Sequence, residues 1–334
     1  MTTVAFVEDR VLGRTGRQVS VVGLGCWQLG ADWGRVDDAD ALAVLHAAVD
    51  AGVTFLDTAD VYGDGRSEQL IARFLAERSA EVTVATKCGR RADPHVPATF
   101  TPENLRAWTD RSRANLRVER LDLVQLHCPP TPVFSTDEVF DALDELVAEG
   151  NLAAYGVSVE TCDEALTAIA RPNVASVQII LNAFRRKPLE QVLPAAQAAG
   201  VGIIARVPLA SGLLSGKYDE QTTFAADDHR TYNRHGEAFD VGETFSGVPY
   251  EVGVRAARSL AEIAEGAGVS TAALALRWVI DQPGVSVVIP GARNAEQAAA
   301  NSAAATVPPL TADTLQAIEQ VYDDQIREHV HDRW

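Results

Sequence analysis

Short apolar runs rich in Val, Ile and Leu recur along the chain. Each is followed by a polar turn and then by apolar positions at helical spacing. The runs cover residues 19–25, 53–57, 82–87, 121–127, 152–158, 175–180, 201–206 and 285–289. Continuous rather than alternating hydrophobicity suits parallel strands covered on both faces. The helices between them carry readable punctuation. Asp37 to Asp40 give an acidic first turn to a helix that Gly52 ends, and Thr101 with Pro102 forms an N-cap followed by a proline in the first turn. Helices are expected over 135–149 and 189–199, stopped by Gly150 and Gly200. Eight strand–helix units without a break in composition predict one α/β domain over 1–334, a closed (β/α)8 TIM barrel. A doubly wound dinucleotide fold requires GxGxxG, and Gly23-Leu24-Gly25-Cys26-Trp27-Gln28 lacks the third glycine. Three segments fall outside the repeat. Residues before Arg17 predict a hairpin across the barrel floor, with Thr15-Gly16 at its turn. The polar, Gly-rich stretch 208–250 is a long loop after the seventh strand that can serve as a lid or cofactor strap. Residues 312–326 predict an extra C-terminal helix, followed by a tail.

Composition narrows the function classes. Of 334 residues, 47% are hydrophobic, which excludes global disorder. A formal charge of −17 repels phosphate backbones and anionic lipid, so neither nucleic acid nor a membrane is an expected partner. The first residues lack the apolar stretch of a signal peptide, and no run approaches the roughly 20 residues of a membrane span. The four cysteines form neither a CxxC pair nor a disulfide scaffold. A cytoplasmic location is expected, and nothing in the pattern sets an oligomeric state.

Active sites of such barrels lie at the C-terminal ends of the strands. Those positions carry Asp57, Lys87, His127, Ser158, Gln178, Arg206 and Pro290. Taken singly, Asp57 reads equally as a helix cap, Lys87 as a snorkelling strand end and His127 as a core histidine. Their convergence from distant segments favours chemistry. Tyr62 follows Asp57 closely in Asp-Thr-Ala-Asp-Val-Tyr-Gly. A free phenol is a poor acid at neutral pH, but a neighbouring lysine ammonium stabilises its phenolate and a carboxylate orients the lysine. His127 can donate a hydrogen bond to a carbonyl oxygen or pass a proton. Cys26, Cys88 and Cys128 offer zinc-type ligands, but filling small apolar gaps is the plainer reading, and no metal is expected.

The phrases GVTFLDTADVYGDGRSE, VTVATKCGR and LVQLHCPP resemble those of the aldo-keto reductases. The likeness runs from RVLGRTGRQVSVVGLGCWQLG through YGVS and PLASGLLSGK to VSVVIPGARNAEQAAAN. It implies a catalytic tetrad of Asp57, Tyr62, Lys87 and His127, and reduction of an aldehyde or ketone by a nicotinamide cofactor with Tyr62 as the acid. It also implies a cofactor site on Cys26, Trp27, Asp57, Ser158, Gln178, Arg206, Pro208, Leu209, Ser211, Gly212 and Lys217, with Gly291, Arg293, Gln297 and Asn301 at the adenosine end. Arg293 can pair with a 2′-phosphate, which favours NADP over NAD, and Arg230 and Arg234 are further phosphate candidates. Trp27, Tyr62 and His127 are expected to touch substrate, with Trp33, His331 and Trp334 as further pocket walls. Two positions depart from the family pattern. Val159 stands where an Asn is usual, and Arg206 stands where an aromatic residue often stacks on the nicotinamide, so its guanidinium is expected to stack or to bind an acidic substrate. The family also includes potassium-channel β subunits, so an accessory, cofactor-binding role is the alternative.

Overall fold

A computed structural model of the chain describes residues 8–30 and 36–334. Strands β1 (Asp9–Val11) and β2 (Gln18–Ser20) pair antiparallel as a hairpin. Eight parallel strands follow in sequence order: β3 (Leu24–Gly25), β4 (Phe55–Asp57), β5 (Thr83–Cys88), β6 (Leu123–His127), β7 (Tyr155–Ser158), β8 (Val174–Ile180), β9 (Gly202–Arg206) and β10 (Val285–Val288). Parallel bridges Val22–Val288 and Gly25–Gly291 join the first to the last, and the Gly23 amide donates to the Val288 carbonyl at 2.8 Å. The sheet therefore closes into the expected (β/α)8 barrel. The apolar run 19–25 is two elements rather than one, because its first part completes the floor hairpin and only its end enters the barrel.

Helix boundaries follow local chemistry. The Asp37 carboxylate caps Asp38–Asp50 by accepting from the Asp40 amide at 2.8 Å, and Thr101 caps Pro102–Leu116 in the same way. The helix expected over 135–149 is Asp137–Ala148, because Pro132 starts a separate tight turn over Thr131–Ser135. The one expected over 189–199 is Val192–Ala199. The C-terminal helix Ala312–Val321 runs on through a π-turn at Tyr322–Ile326 into Arg327–Val330, longer than its apolar pattern suggests.

Strand periodicity explains where the site sits. Side chains alternate between the two faces of a strand, so every second residue points into the barrel. Phe55, Ala85, Leu123, Ile204 and Val287 form one buried layer, plugged from below by Leu12 and Val19 of the floor hairpin. Burial of each large member contributes roughly 1.5–3 kcal/mol. Two residues further along the same strands stand Asp57, Lys87, Gln125, Arg206 and Ile289. On β4, β5 and β9 the interior thus changes from hydrocarbon to ionisable groups within one repeat of the pleat, with the Gln125 amide between them, while Ile289 keeps the β10 side apolar. The floor hairpin seats closely, since a Cβ on Gly13 (φ +47°) would lie 2.0 Å from the Gly202 amide nitrogen.

The strap, 208–250, lies across the barrel mouth. The Ser211 hydroxyl donates to the Glu243 carbonyl and accepts from the Phe245 amide, each at 3.0 Å, which ties its two limbs together. Asn182 donates to the Ser246 hydroxyl at 2.7 Å. From the other side, Trp334 donates its indole N–H to Asp240 at 3.0 Å and stacks on the Arg185 guanidinium at 3.9 Å. No single helix among the described residues is long and apolar enough to cross a membrane.

Candidate active site

Asp57 ends β4, Lys87 lies near the end of β5 and His127 ends β6, and all three are buried. The Lys87 ammonium donates to an Asp57 carboxylate oxygen at 2.6 Å, to the Thr58 carbonyl at 2.9 Å and to the Tyr62 hydroxyl at 3.3 Å. The other Asp57 oxygen accepts from Gln178 at 2.7 Å and from Gln125 at 3.2 Å. Burial works against the lysine charge, but the Asp57 carboxylate and the Tyr62 phenol outweigh it and hold its pKa above the ordinary value. Burial pushes the Tyr62 phenol up. Lys87 pulls against it while Asp57 and Glu243 add to it, so the expected net lowering by the lysine does not appear. The phenol therefore stays protonated at neutral pH, and a full acid lies beside a cation able to stabilise its conjugate base. Tyr62 and His127 meet edge to face at 5.8 Å between ring centres, and Trp27 stacks on Tyr62 at 5.9 Å. Burial and the charges of Arg90, Lys87 and Arg206 keep His127 neutral, well below the usual histidine pKa.

A cleft of about 520 Å³ opens above these groups. It is lined by Trp27, Asp57, Tyr62, His127, Ser158, Gln178 and Arg206 at one end, and by Gly291, Arg293, Gln297 and Asn301 at the other. Pro208, Leu209, Ser211, Gly212 and Lys217 lie between. Of the residues singled out in the sequence for the site, Cys26 and Lys87 do not line it. Lys87 sits behind Tyr62, and the Cys26 thiol is buried in the wall, where it faces the Leu24 carbonyl at 3.6 Å. The amide of Gln178 is spent on Asp57 and Gln125, which leaves its side-chain oxygen without a hydrogen-bond partner among the described residues. The Ser211 hydroxyl is used inside the strap. Gln297 accepts from the Arg293 amide at 2.9 Å and Asn301 donates to the Gly291 carbonyl at 3.1 Å, so both shape the loop at the far end. A Cβ on Gly291 would fall 2.1 Å from the Gln28 side chain.

Other expected contributors are placed elsewhere. Arg234 stacks on Phe245 and Tyr250 within the strap and is absent from the cleft wall, whereas Arg230 lines it in an ion pair with Asp228 at 2.5 Å. His331 bonds Tyr322 and Glu190, and Trp334 packs on the outer side of the strap, so neither walls the cleft as expected. Trp33 lies outside the described residues.

Arg206 does not present a free cation. Its guanidinium donates to Glu160 and to the Val159 carbonyl, each at 3.0 Å, and approaches Glu243 at 3.6 Å. An acidic substrate would have to displace these partners, so the expectation of a ready anion anchor fails on charge balance. Glu243 also accepts from Arg90 at 2.9 Å, and Arg90 lies 3.4 Å from Nε2 of His127. Burial opposes ionisation of both glutamates. The two arginines hold Glu243 well below the carboxylate range, while Glu160, beside it, is pushed up. Cys128 lies within the same cluster, yet the pairing of both carboxylates with arginines leaves no evident metal site there. Of the three cysteines weighed as zinc ligands, Cys128 alone joins such a cluster among the described residues, and it does so with the two glutamates rather than with Cys26 or Cys88. The sequence reading missed Arg90, Glu160, Glu243 and Gln125. Gln125 was accessible as the inward neighbour of His127, two residues earlier on β6.

A model of the aldo/keto reductase family matches residues 21–323. An aldo-keto reductase of Bacillus subtilis is 30% identical, covering 87% of this chain and 86% of its own. A probable voltage-gated potassium channel subunit beta of Oryza sativa is 31% identical, covering 93% of this chain and 95% of its own. Among solved structures, the glycerol dehydrogenase of Gluconobacter oxydans superposes with a TM-score of 0.77 at 29% identity, covering 100% of this chain and 98% of its own.

Proposed function

Given that this chain belongs to the aldo/keto reductase family, we propose that it is an NADPH-dependent oxidoreductase that reduces an aldehyde or ketone to an alcohol, with Tyr62 as general acid. The observation that carries this reading is the relay of buried Asp57 and Lys87 to a half-buried Tyr62, which faces a cleft lined at its far end by Gly291, Arg293 and Asn301. The cleft's chemistry suits a dinucleotide phosphate. In a protein of net charge −17, Arg293 and Lys217 have no acidic partner within ion-pair reach among the described residues, and both line the cleft. The ring of the cofactor, when bound, supplies the hydride. Ser158 and the side-chain oxygen of Gln178 would orient that ring, and Gly291 with Arg293, Gln297 and Asn301 would hold the adenosine end. Tyr62 gives its proton to the carbonyl oxygen as negative charge develops there, Lys87 stabilises the phenolate left behind, and Asp57 holds the lysine in place. His127 provides a second polar edge beside the same oxygen.

The test is NADPH oxidation by the purified protein across aromatic aldehydes, dicarbonyls and sugar aldehydes. Tyr62→Phe is expected to lower turnover by at least ~10²-fold while leaving NADPH affinity within about twofold. Unchanged turnover in that variant sinks the assignment. The channel-subunit relative supports a second reading, an accessory protein that binds the cofactor; tight NADPH binding with no turnover on any carbonyl would select it.

A further inference from the structure

The two partners of the Lys87–Tyr62 contact are held by different parts of the molecule. Lys87 is fixed by the end of β4, through the Asp57 carboxylate at 2.6 Å and the Thr58 carbonyl at 2.9 Å. Tyr62 stands on an irregular loop, residues 59–65, that leads from β4 to the helix Arg66–Glu77. Its hydroxyl lies 3.3 Å from the ammonium, at the long edge of hydrogen-bond range, so a loop shift of roughly half an ångström breaks the contact. The acid is therefore only as well placed as the loop that carries it.

One side chain from outside the barrel holds that loop on both sides of the tyrosine. Arg111, on the helix Pro102–Leu116, donates through one nitrogen to the Asp60 carbonyl at 3.0 Å and through another to the Asp64 carbonyl at 2.9 Å. Neither carbonyl takes another hydrogen bond among the described residues. The two carbonyls lie two residues before Tyr62 and two after it, and the planar fork of a guanidinium fixes their separation. The Asp60 carboxyl stands 4.0 Å from the guanidinium, beyond hydrogen-bond reach, so Arg111 grips the main chain there rather than the side chain. Asp64 has φ +55°, a left-handed conformation that aspartate tolerates better than most residues. Its carboxylate accepts from Arg111 at 2.8 Å and pairs with Arg91, in the loop after β5, at 2.7 Å. The loop also packs its main chain against Gly30, where a Cβ would lie 2.7 Å from the Tyr62 carbonyl carbon.

We propose that Arg111 is a positioning residue for the general acid: by holding the carbonyls of Asp60 and Asp64 it sets the reach of the Tyr62 hydroxyl to Lys87. This rests on the reductase reading above for what the hydroxyl does. Arg111 is absent from the cleft wall, so it acts on the acid through the loop and not on a bound ligand. Its side chain is 29% exposed, so replacing it opens no cavity in the core.

The experiment combines kinetics with carbon NMR of ¹³Cζ-tyrosine in the full chain. The chain has six tyrosines, and the Tyr62 signal is assigned by its loss in Tyr62→Phe. Arg111→Met is expected to shift the Tyr62 signal and leave the other five in place, because only the phenol beside Lys87 changes its hydrogen bond. The same variant is expected to lower kcat by about 10-fold or more, with NADPH affinity within about twofold of the wild type. Arg111→Lys keeps the charge but not the fork, and is expected to fall between the two in both readings. Asp64→Asn leaves both carbonyl bonds in place, and its kcat is expected to stay within about twofold. An unmoved Tyr62 signal in Arg111→Met overturns the proposal, as does a moved signal with unchanged kcat. If Arg111→Met does not fold, Arg111→Lys decides, and wild-type values in both readings overturn the proposal. A loss in Asp64→Asn as large as in Arg111→Met overturns the role of the carbonyls. An active Tyr62→Phe ends the reductase reading, whereas the Tyr62 signal in Arg111→Met needs no turnover, so the two failures are told apart.

Discussion

At the scale of single residues, the two ends of the cleft use charge in opposite ways. Around Tyr62 the cations are matched: Lys87 by Asp57, Arg206 by Glu160 and Glu243, and Arg90 by Glu243. Such groups are expensive to bury alone and rigid once paired, which suits a site that must hold a phenol and an imidazole in fixed relation. At the far end Arg293 is exposed and without an acidic partner among the described residues. In the proposed reading its partner is the 2′-phosphate of NADPH. Arg293→Ala is expected to weaken NADPH binding by about 10-fold, on the order of 1.4 kcal/mol, while NADH binding stays within about twofold. Fluorescence titration with the two cofactors checks this. Equal losses for both would place the guanidinium elsewhere on the nucleotide.

At the scale of elements, Trp334 makes several of the contacts that hold the outer side of the strap. Its indole caps Asp240 and fills the space beside Gly247, where even a Cβ would lie 2.2 Å from the ring. Trp334→Ala is expected to speed NADPH release by about 10-fold, measured by stopped-flow fluorescence, and to expose 208–250 to limited proteolysis. Protection equal to the wild type would show that Ser211 and Asn182 suffice. The strap is also where sequence reasoning stops. The barrel strands were legible because each is a continuous apolar run ended by a polar residue, and the helices because Asp37, Thr101, Gly150 and Gly200 punctuate them. The strap has no period, and its ion pair with the loop after β5 joins Glu243 to Arg90 across 153 positions. No local pattern encodes such a pair. Arg90 was within reach, since reading three residues past Lys87 meets a cation at the barrel mouth. The split of the run 19–25 was not, because hairpin and barrel strands bury the same residue types.

At the scale of the whole molecule, one buried carboxyl couples folding to pH. Asp60 is fully buried, its oxygens have no hydrogen-bond partner among the described residues, and the Arg111 guanidinium stands 4.0 Å away. Burial, with the nearby Glu68, pushes its pKa from 3.8 to about 7. The folded protein therefore keeps a proton that the unfolded chain releases above about pH 4. Relative to acid pH, folding loses stability as pH rises through that interval, and the loss is complete above about pH 7. Asp60→Asn removes the ionisation, so its stability advantage over the wild type should grow by roughly 2–3 kcal/mol between pH 5 and pH 8. Urea unfolding at the two pH values checks this, and a constant difference would mean that Asp60 is ionised in the fold.

The interior of the barrel, hydrocarbon below and ionisable above, separates two kinds of heritable change. A substitution at Phe55, Ala85 or Ile204 is felt through the plug that carries the fold, one at Asp57, Lys87 or Arg206 through the charged network around Tyr62. Pressure for a new substrate can therefore act on the upper storey, and pressure for heat tolerance on the lower one, with little trespass between them.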